Sequence, residues 1–230
     1  YLQKSGTVAL LDEHIFIKSV KNCIIGSYGK GSIPEVHYNG NKRLFDIYHA
    51  ENFHIKNLKF VLSDQSVCAI KYGDNSNNCS IDNCIVDGGI WGIRIVANSL
   101  KATVKNIRIK NCDISNIADD GIFCLRVKNL DIINNDISKV NQNYFRVGTT
   151  EDQASGDGIQ LYDVVNFIIE NNKIDRSDTQ NKFCLIVQNA HNGAINNNFF
   201  AGPSEDVNIY ISYNSSGISI NNNFFQNART

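Results

Sequence analysis

The sequence predicts an all-β fold, a single-stranded right-handed parallel β-helix, which is a solenoid of about eight coils with an asparagine ladder. Three observations predict this fold: a six-residue phrase that recurs along the whole chain, a nearly constant spacing between its copies, and the scarcity of helix-forming runs. Internal repeats of about 20–50 residues are typical of solenoids and related repeat folds. We therefore expect one domain that covers residues 1–230.

The recurring phrase consists of an apolar residue, any residue, asparagine, two further residues and a second apolar residue. The eight copies contain Asn22, Asn57, Asn83, Asn111, Asn134, Asn171, Asn197 and Asn222. Five of the seven intervals between these asparagines are 23–28 residues long, as expected for one coil each. The other two intervals, of 35 and 37 residues, predict loop insertions near residues 26–41 and 141–156.

Apolar residues on both sides of the fixed asparagine indicate short strands with one buried face. Each coil of a solenoid contacts only its neighbours. Strands stack about 4.8 Å apart, so equivalent residues lie directly above one another. The predicted core column comprises Val20, Ile55, Ile81, Ile109, Ile132, Ile169, Ile195 and Ile220. The asparagines then form a ladder at a tight turn, where this residue tolerates a left-handed backbone.

The composition excludes several classes of function. With a net charge of −1 and a pI near 6.6, the chain lacks the basic surface with which a nucleic-acid-binding domain contacts phosphates. The sequence contains no apolar run of about 18 residues, so no membrane span is expected. The seven cysteines show no zinc-ligand spacing, and we expect them to be small buried side chains in the stack.

The second insertion is the better candidate for a functional loop. Residues 141–156 are mostly polar and contain Arg146, Glu151 and Asp152. Loops carried by a regular scaffold are common places for binding and catalytic residues. We therefore expect this insertion to form one wall of a site.

Two aspartates occupy equivalent positions in successive repeats. Asp120 precedes Asn134 by 14 residues, and Asp157 precedes Asn171 by 14 residues. Since the spacing is equal, the two aspartates are predicted to stack on successive coils, with Asp119 as a third carboxylate beside them. Each aspartate opens an Asp-Gly-Ile phrase that leads into a strand.

Alternate residues of these strands are predicted to point away from the core. One outward row contains Arg94, Phe123 and Gln160, and Tyr162 lies two residues further on. On the coil before Asp120, Trp91 begins a Trp-Gly-Ile phrase that fits the same pattern. The sequence therefore predicts a sheet face that carries both aromatic rings and polar groups.

The stacked Asp-Gly-Ile openings, each followed by a strand and an asparagine turn, resemble the pectate-lyase-like superfamily of carbohydrate-active β-helix proteins. Ala-Asp-Asp-Gly at 118–121 and Gly-Asp-Gly at 156–158 are similar to the paired aspartate phrases of polygalacturonase-type hydrolases. The Gly-His-Gly phrase of those enzymes and the Tyr-Gly-x-Asp-Pro-His phrase of alginate epimerases are absent, which leaves the reaction type open. The resemblance implies a polysaccharide-degrading lyase or glycoside hydrolase that acts on an acidic polysaccharide along one sheet face.

The resemblance also implies roles for individual residues. In a hydrolase, Asp119, Asp120 and Asp157 would serve as acid and base, because neighbouring carboxylates have pKa values that are pushed apart. In a lyase, Asp120, Asp157 and Asp152 would bind Ca²⁺ through hard oxygen ligands. An arginine such as Arg146 would then abstract the proton α to the uronate carboxyl. The expected substrate-binding residues are Trp91, Arg94, Phe123, Gln160, Tyr162 and Glu151.

The same residues also have structural interpretations, which are alternatives to the catalytic and binding roles. Asp-Gly is a common turn phrase, so Asp120 and Asp157 are also candidates for turn-capping residues that point into the coil. Trp91 and Phe123 are also candidates for packing under a loop. The alternative function is a noncatalytic carbohydrate-binding or structural β-helix of a surface protein or phage fibre, trimeric in the latter case. Each alternative places the protein outside the cell, in the periplasm or on a virion.

Overall fold

The computed structural model describes residues 2–4, 6–63, 66–140, 156–176, 183–202 and 207–226, which form strands, turns and loops without any helix. A helix long and apolar enough to cross a bilayer is accordingly not found in these ranges. The strands are β1 (Leu2–Lys4), β2 (Val8–Leu11), β3 (Ile15–Lys18), β4 (Lys21–Tyr28), β5 (Glu35–Tyr38), β6 (Arg43–Tyr48), β7 (Glu51–Lys56), β8 (Lys59–Leu62), β9 (Cys68–Tyr72), β10 (Asn77–Asp82), β11 (Ile85–Asp87), β12 (Trp91–Val96), β13 (Val104–Lys110), β14 (Asp113–Ser115), β15 (Ile122–Leu125), β16 (Val127–Ile133), β17 (Asp136–Ser138), β18 (Ile159–Tyr162), β19 (Val165–Glu170), β20 (Lys173–Asp175), β21 (Leu185–Gln188), β22 (His191–Asn196), β23 (Phe199–Ala201), β24 (Ile209–Ser212), β25 (Ser216–Asn221) and β26 (Phe224–Gln226).

These strands form three parallel sheets that wind around one core. Sheet A contains β1, β4, β7, β10, β13, β16, β19, β22 and β25 in that order. Sheet B contains β2, β5, β8, β11, β14, β17, β20, β23 and β26, and sheet C contains β3, β6, β9, β12, β15, β18, β21 and β24. The chain passes through sheets B, C and A in turn, and each strand pairs with its equivalent one coil away. The predicted right-handed parallel β-helix is confirmed.

Asparagines with a left-handed backbone form the corners at both ends of sheet A. Asn57 and its successors lie between sheets A and B, as predicted, with a φ of 55° at Asn57 itself. A second series lies near the start of the sheet A strands, next to the turn from sheet C, and includes Asn22, whose Oδ1 accepts the Nδ2 hydrogen of Asn52 at 2.9 Å. The assignment of Asn22 to the same ladder as Asn57 was therefore wrong. Both corners need the same backbone conformation, so both carry the same phrase.

The core column changes with this register. Ile25, not Val20, pairs with Ile55 and begins the column of buried isoleucines. Val20 lies instead at the corner between sheets C and A and is partly buried. The column ends at Ile220 on β25, which is 44% exposed because no described strand of sheet A covers it.

A third asparagine ladder runs inside the solenoid, one residue after the corner between sheets A and B. Asn135, Asn172 and Asn198 are each 2% exposed, and Asn223 extends the series. Asn135 Nδ2 donates to Asn172 Oδ1 at 2.9 Å, and Asn172 Nδ2 donates to Asn198 Oδ1 at 3.0 Å. Because these amides bond to one another and to the backbone, they satisfy polar groups at a buried turn.

The cysteines are free thiols, and all except the partly buried Cys23 are buried. Cys84 and Cys112 stack on successive coils in the column that continues into the interior asparagine ladder. A hydrogen bond with Cys84, together with burial, raises the pKa of the Cys112 thiol well above its ordinary value. A thiol that stays protonated and buried is chemically inert, so these side chains serve packing.

Candidate functional site

Asp120 and Asp157 stand one above the other, because Ile122 and Ile159 pair directly. Both aspartates are buried, with 3% and 0% of their surface exposed. The Oδ1 atom of Asp120 accepts the backbone N–H of Asp157 at 2.8 Å, and the Oδ1 atom of Asp157 accepts that of Phe183 at 3.0 Å. Each carboxylate thus holds the backbone of the following coil at the entry to sheet C.

Further buried charge surrounds Asp157. Arg176 is fully buried, and its Nη1 atom lies 3.8 Å from Asp157 Oδ1 while it donates to the carbonyl oxygen of Phe183 at 2.8 Å. Burial raises the pKa of Asp120 well above its usual value, and the charges of Asp119 and Asp157 add to this effect. The arrangement is a buried charged network that joins neighbouring coils.

The glycines of the two Asp-Gly phrases are required by the packing between coils. A Cβ atom on Gly121 would lie 2.7 Å from the carbonyl oxygen of Gly158, and one on Gly158 would lie 2.5 Å from that of Cys184. Backbone contacts this close leave room only for glycine. The fold therefore accounts for the paired Asp-Gly phrases by itself, and a catalytic role for Asp120 and Asp157 stays a prediction.

Three predicted site residues, Arg146, Glu151 and Asp152, lie outside the described residues. Within the described ranges, no three His, Cys, Asp or Glu side chains are grouped so that they could hold a metal ion. Asp120 and Asp157 each use one oxygen for a backbone amide. The carboxylate oxygens of Asp120 and Asp157 alone do not form a Ca²⁺ site, so the predicted calcium site, which would include Asp152, stays a prediction.

The outward face of sheet C brings the predicted substrate-binding residues together. Arg94, Phe123 and Gln160 lie side by side on β12, β15 and β18, and Tyr162 on the next row is 38% exposed. The guanidinium carbon of Arg94 lies 4.3 Å from the ring centre of Trp91 and 5.3 Å from that of Phe123. Such cation–π contacts contribute about 0.5–2 kcal/mol each and hold the arginine and the rings as one surface.

Four further residues extend this surface over the preceding coils. Asp46 and Lys71 are in direct register with Arg94. Arg43 Nη1 lies 3.2 Å from Asp46 Oδ2, and Lys71 Nζ lies 3.7 Å from Asp46 Oδ1. Lys71 Nζ also donates to the Tyr48 hydroxyl and lies 4.5 Å from the centre of its ring. We call Arg43, Asp46, Tyr48, Lys71 and Arg94 the sheet C cluster.

The sheet C cluster contains three basic side chains and one carboxylate, and two of the basic side chains, Arg43 and Lys71, contact Asp46 directly. Asp46 is 9% exposed and Lys71 only 2% exposed. Burial lowers the pKa of Lys71, and the charge of Asp46 opposes this effect; burial also lowers the pKa of Arg94. Positive charge in a poorly hydrated site attracts an anionic group more strongly than the same charge on an open surface.

Aromatic rings continue the same face toward the last coils. Tyr210 is in register with Ile186, which is in register with Gln160. The rings of Phe183 and Tyr210 are stacked, with centres 4.9 Å apart and planes 18° apart. The face of sheet C therefore presents charge at the coils of Asp46 and Arg94 and aromatic surface further along.

Sequence reasoning missed much of this face. The Asp-Gly phrases indicate only the coils of Asp120 and Asp157, whereas Asp46 and Lys71 lie on earlier coils without that phrase. A usable signal was present, since residues 45–48 and 70–72 alternate inward apolar positions with outward Asp46, Tyr48 and Lys71. Only the pairing of the strands shows that these outward positions continue the row of Arg94.

No family model and no curated protein matches the chain. Among solved structures, full-length tailspike protein 2 of Escherichia coli O157:H7 bacteriophage CAB120 superposes with a TM-score of 0.65 at 12% identity, over 94% of this chain and 30% of its own. The A-module of the mannuronan C-5 epimerase AlgE4 of Azotobacter vinelandii superposes with a TM-score of 0.62 at 12% identity, over 99% of this chain and 81% of the module. The surface adhesin PfbA of Streptococcus pneumoniae superposes with a TM-score of 0.53 at 12% identity, over 96% of this chain and 73% of the adhesin.

These likenesses concern the fold, since all three identities are low. The chain spans less than a third of the tailspike and most of the epimerase module. All three proteins match it over nearly its whole length. The parallel β-helix inferred from the asparagine repeat is thus also the fold of the solved structures that this chain resembles.

Proposed function

We propose that this protein acts on an acidic polysaccharide that lies along the outward face of sheet C. The observation that carries this proposal is the sheet C cluster, in which Arg43 and Lys71 contact Asp46 and Arg94 continues the same row on the next coil. A carboxylate on a sugar ring is complementary to the excess positive charge. The neighbouring rings of Trp91 and Phe123 offer flat surfaces for sugar rings.

The geometry of the solenoid suits an extended polymer. Equivalent side chains on successive coils are about 4.8 Å apart, so one polysaccharide chain parallel to the axis would meet one coil after another. The cations would hold the charged part of the polymer. Tyr162 and the stacked pair of Phe183 and Tyr210 would contact its continuation.

Proton abstraction next to a uronate carboxyl is the reaction that the cluster supports best. Arg94 and Arg43 would neutralise the carboxylate and so stabilise the charge that develops when the α C–H bond breaks. The Tyr48 hydroxyl, in contact with Lys71 Nζ, is placed to exchange that proton, since burial lowers the pKa of Lys71 and favours its neutral, basic form. Lys71, as the neutral amine, takes the abstracted proton through the Tyr48 hydroxyl, and the electron pair of the broken C–H bond forms a double bond as the glycosidic C–O bond breaks. The proton then passes back through Tyr48 to the leaving oxygen.

A noncatalytic carbohydrate-binding surface is the second candidate. It is favoured by the near-complete burial of Lys71 and by the stacked rings of Phe183 and Tyr210, which suit binding without chemistry. The adhesin among the similar structures has the same fold. A location outside the cell or on a virion fits both candidates and belongs to this proposal.

The test is a panel of acidic and neutral polysaccharides, each assayed for unsaturated products by ultraviolet absorbance and for new reducing ends. The protein is compared with Arg94→Ala and Tyr48→Phe, and Lys101→Ala serves as a matched control because Lys101 is exposed and lies outside sheet C. We expect unsaturated ends that both cluster variants reduce by at least about 100-fold. Binding that depends on Arg94 without new ends would favour the second candidate. Activity that is unchanged in both cluster variants would exclude this site.

A further inference from the structure

The outward face of sheet A contains a groove that the sheet C site does not use. Between β7 and β16 this groove has a volume of about 430 Å³ and is lined by amide, hydroxyl and charged side chains. Asn106 and Asn129 stand at its edge in the corner ladder, where Asn129 Nδ2 donates to Asn106 Oδ1 at 2.7 Å. The groove follows the solenoid axis, because its lining comes from four successive strands of sheet A.

Positive charge exceeds negative charge on this face. Lys105 and Lys128 are directly opposite each other in register, and both side chains are exposed. Their strands lie about 4.8 Å apart, and like charges directly opposite each other on neighbouring strands are unfavourable, a cost that a bound anion would reduce. From β4 to β16 the face carries six cations and three carboxylates, whereas the whole chain has a net charge of −1. The cations are Lys21, Lys56, Lys105, Arg108, Lys110 and Lys128, and the carboxylates are Glu51, Asp82 and Asp131.

Three ion pairs, one of them between Lys21 Nζ and Glu51 Oε2 at 2.7 Å, leave Lys56, Lys105 and Lys128 on this face. Lys56 is in register with Asp82, so Lys105 and Lys128 are the two lysines in excess. Arg108 binds Asp131 Oδ2 through Nε at 3.1 Å and Nη2 at 2.9 Å. Lys110 Nζ lies 3.2 Å from Asp82 Oδ2. These pairs keep the groove floor ordered, and the excess positive charge lies along its edge at Lys105 and Lys128.

We propose that the sheet A groove is a second contact surface for an acidic polysaccharide, which rests on the proposed function of sheet C for the class of ligand. The excess of positive charge suits a polyanion, and the amides and hydroxyls that line the groove suit sugar hydroxyls. Phe, Tyr and Trp do not occur among the lining side chains, so the groove lacks the stacking platforms that single-stranded nucleic acids need. Two surfaces on one solenoid would strengthen binding to long polymers, because the second contact becomes intramolecular.

The test uses polygalacturonate and alginate as polyanions, with neutral dextran as a control, in affinity gel electrophoresis at fixed ionic strength. The double variant Lys105→Glu/Lys128→Glu is compared with Lys30→Glu/Lys101→Glu, which makes the same change in net charge at exposed positions outside sheet A. We expect the dissociation constant for at least one polyanion to rise about tenfold in the first double variant and to change little in the second. Cleavage of a short oligosaccharide should be equal in both double variants.

Three results would overturn the sheet A proposal. The first is equal polyanion binding by both double variants, and the second is equally tight binding of duplex DNA under the same conditions. A third is loss of all polyanion binding in Arg94→Ala, since sheet C would then carry the whole affinity. Failure of the sheet C proposal would give a result that is distinguishable from these three. The wild-type protein would then bind the polyanion through Lys105 and Lys128 and yet produce no new ends.

Discussion

Replacing Asn172 by alanine tests the interior asparagine ladder, the feature that joins the coils of the second half of the solenoid. The Asn172 amide donates to Ile132 O at 2.9 Å and to Asn198 Oδ1 at 3.0 Å. Its Oδ1 atom accepts the backbone N–H and the Nδ2 hydrogen of Asn135, each at 2.9 Å. The variant Asn172→Ala removes all four hydrogen bonds from a site that is 2% exposed.

The expected loss of stability follows from these four bonds. The backbone N–H of Asn135 would lose the Asn172 acceptor, and an unsatisfied buried donor costs about 1–3 kcal/mol. Each of the other three bonds contributes about 0.5–1.5 kcal/mol net. We therefore expect the free energy of unfolding to fall by about 3–6 kcal/mol, a large part of the about 5–15 kcal/mol that stabilises a typical domain.

Urea unfolding followed by circular dichroism measures the global change. Hydrogen exchange of the Asn135 amide gives a local value, which is needed because long repeat arrays depart from two-state unfolding. Asn221→Ala is the matched control, because it removes only an exposed bond of 3.3 Å to Asn196 and should change stability by less than about 0.5 kcal/mol. A loss below about 1 kcal/mol for Asn172→Ala, without faster exchange at Asn135, would refute the reasoning.

Three further predictions concern residues on neighbouring coils. Cys112→Asn should extend the interior ladder beyond Asn135 and raise the free energy of unfolding by about 1 kcal/mol, whereas a lower urea midpoint would contradict this. The raised pKa of Asp120 means that its folded-state carboxyl holds a proton that the unfolded chain releases, so its stabilising effect is present below the unfolded pKa and is lost as pH rises. Asp120→Asn, which resembles the protonated form, should therefore gain stability relative to wild type as the pH rises from 4 to 7 in urea titrations, and a difference that shrinks over this range would contradict the prediction. Lys71→Met should lower turnover of the polysaccharide about 100-fold or more, by a larger factor than it weakens binding, and unchanged turnover would remove Lys71 and Tyr48 from the proton path.

The asparagine repeat determined the coil, its period and the parallel sheets. An asparagine with left-handed backbone is needed wherever sheet A meets sheet B, so one residue type marks one corner from Asn57 onward. The stacking of Asp120 on Asp157 followed from the same spacing and is present in the structure. The outward row of Arg94, Phe123 and Gln160 also followed, because alternation along a strand fixes which face a side chain takes.

The register of the first coil was decided only by the tertiary structure. Asn22 carries the same local phrase as Asn57, but its partner across the stack is Asn52, at the other corner of sheet A. Local sequence reports the backbone conformation that a corner needs, and both corners need the same one. Pairing with the next coil is a long-range contact, and it alone distinguishes them.

The site was likewise decided by tertiary structure. Asp120 and Asp157 precede their strands at the turn into sheet C, and their burial there depends on Arg176 and on the backbone of the next coil. Asp46 and Lys71 are 25 residues apart in the sequence and carry no motif. Charges separated by a whole coil meet only because strand pairing stacks them about 4.8 Å apart, and that pairing is a property of the folded solenoid.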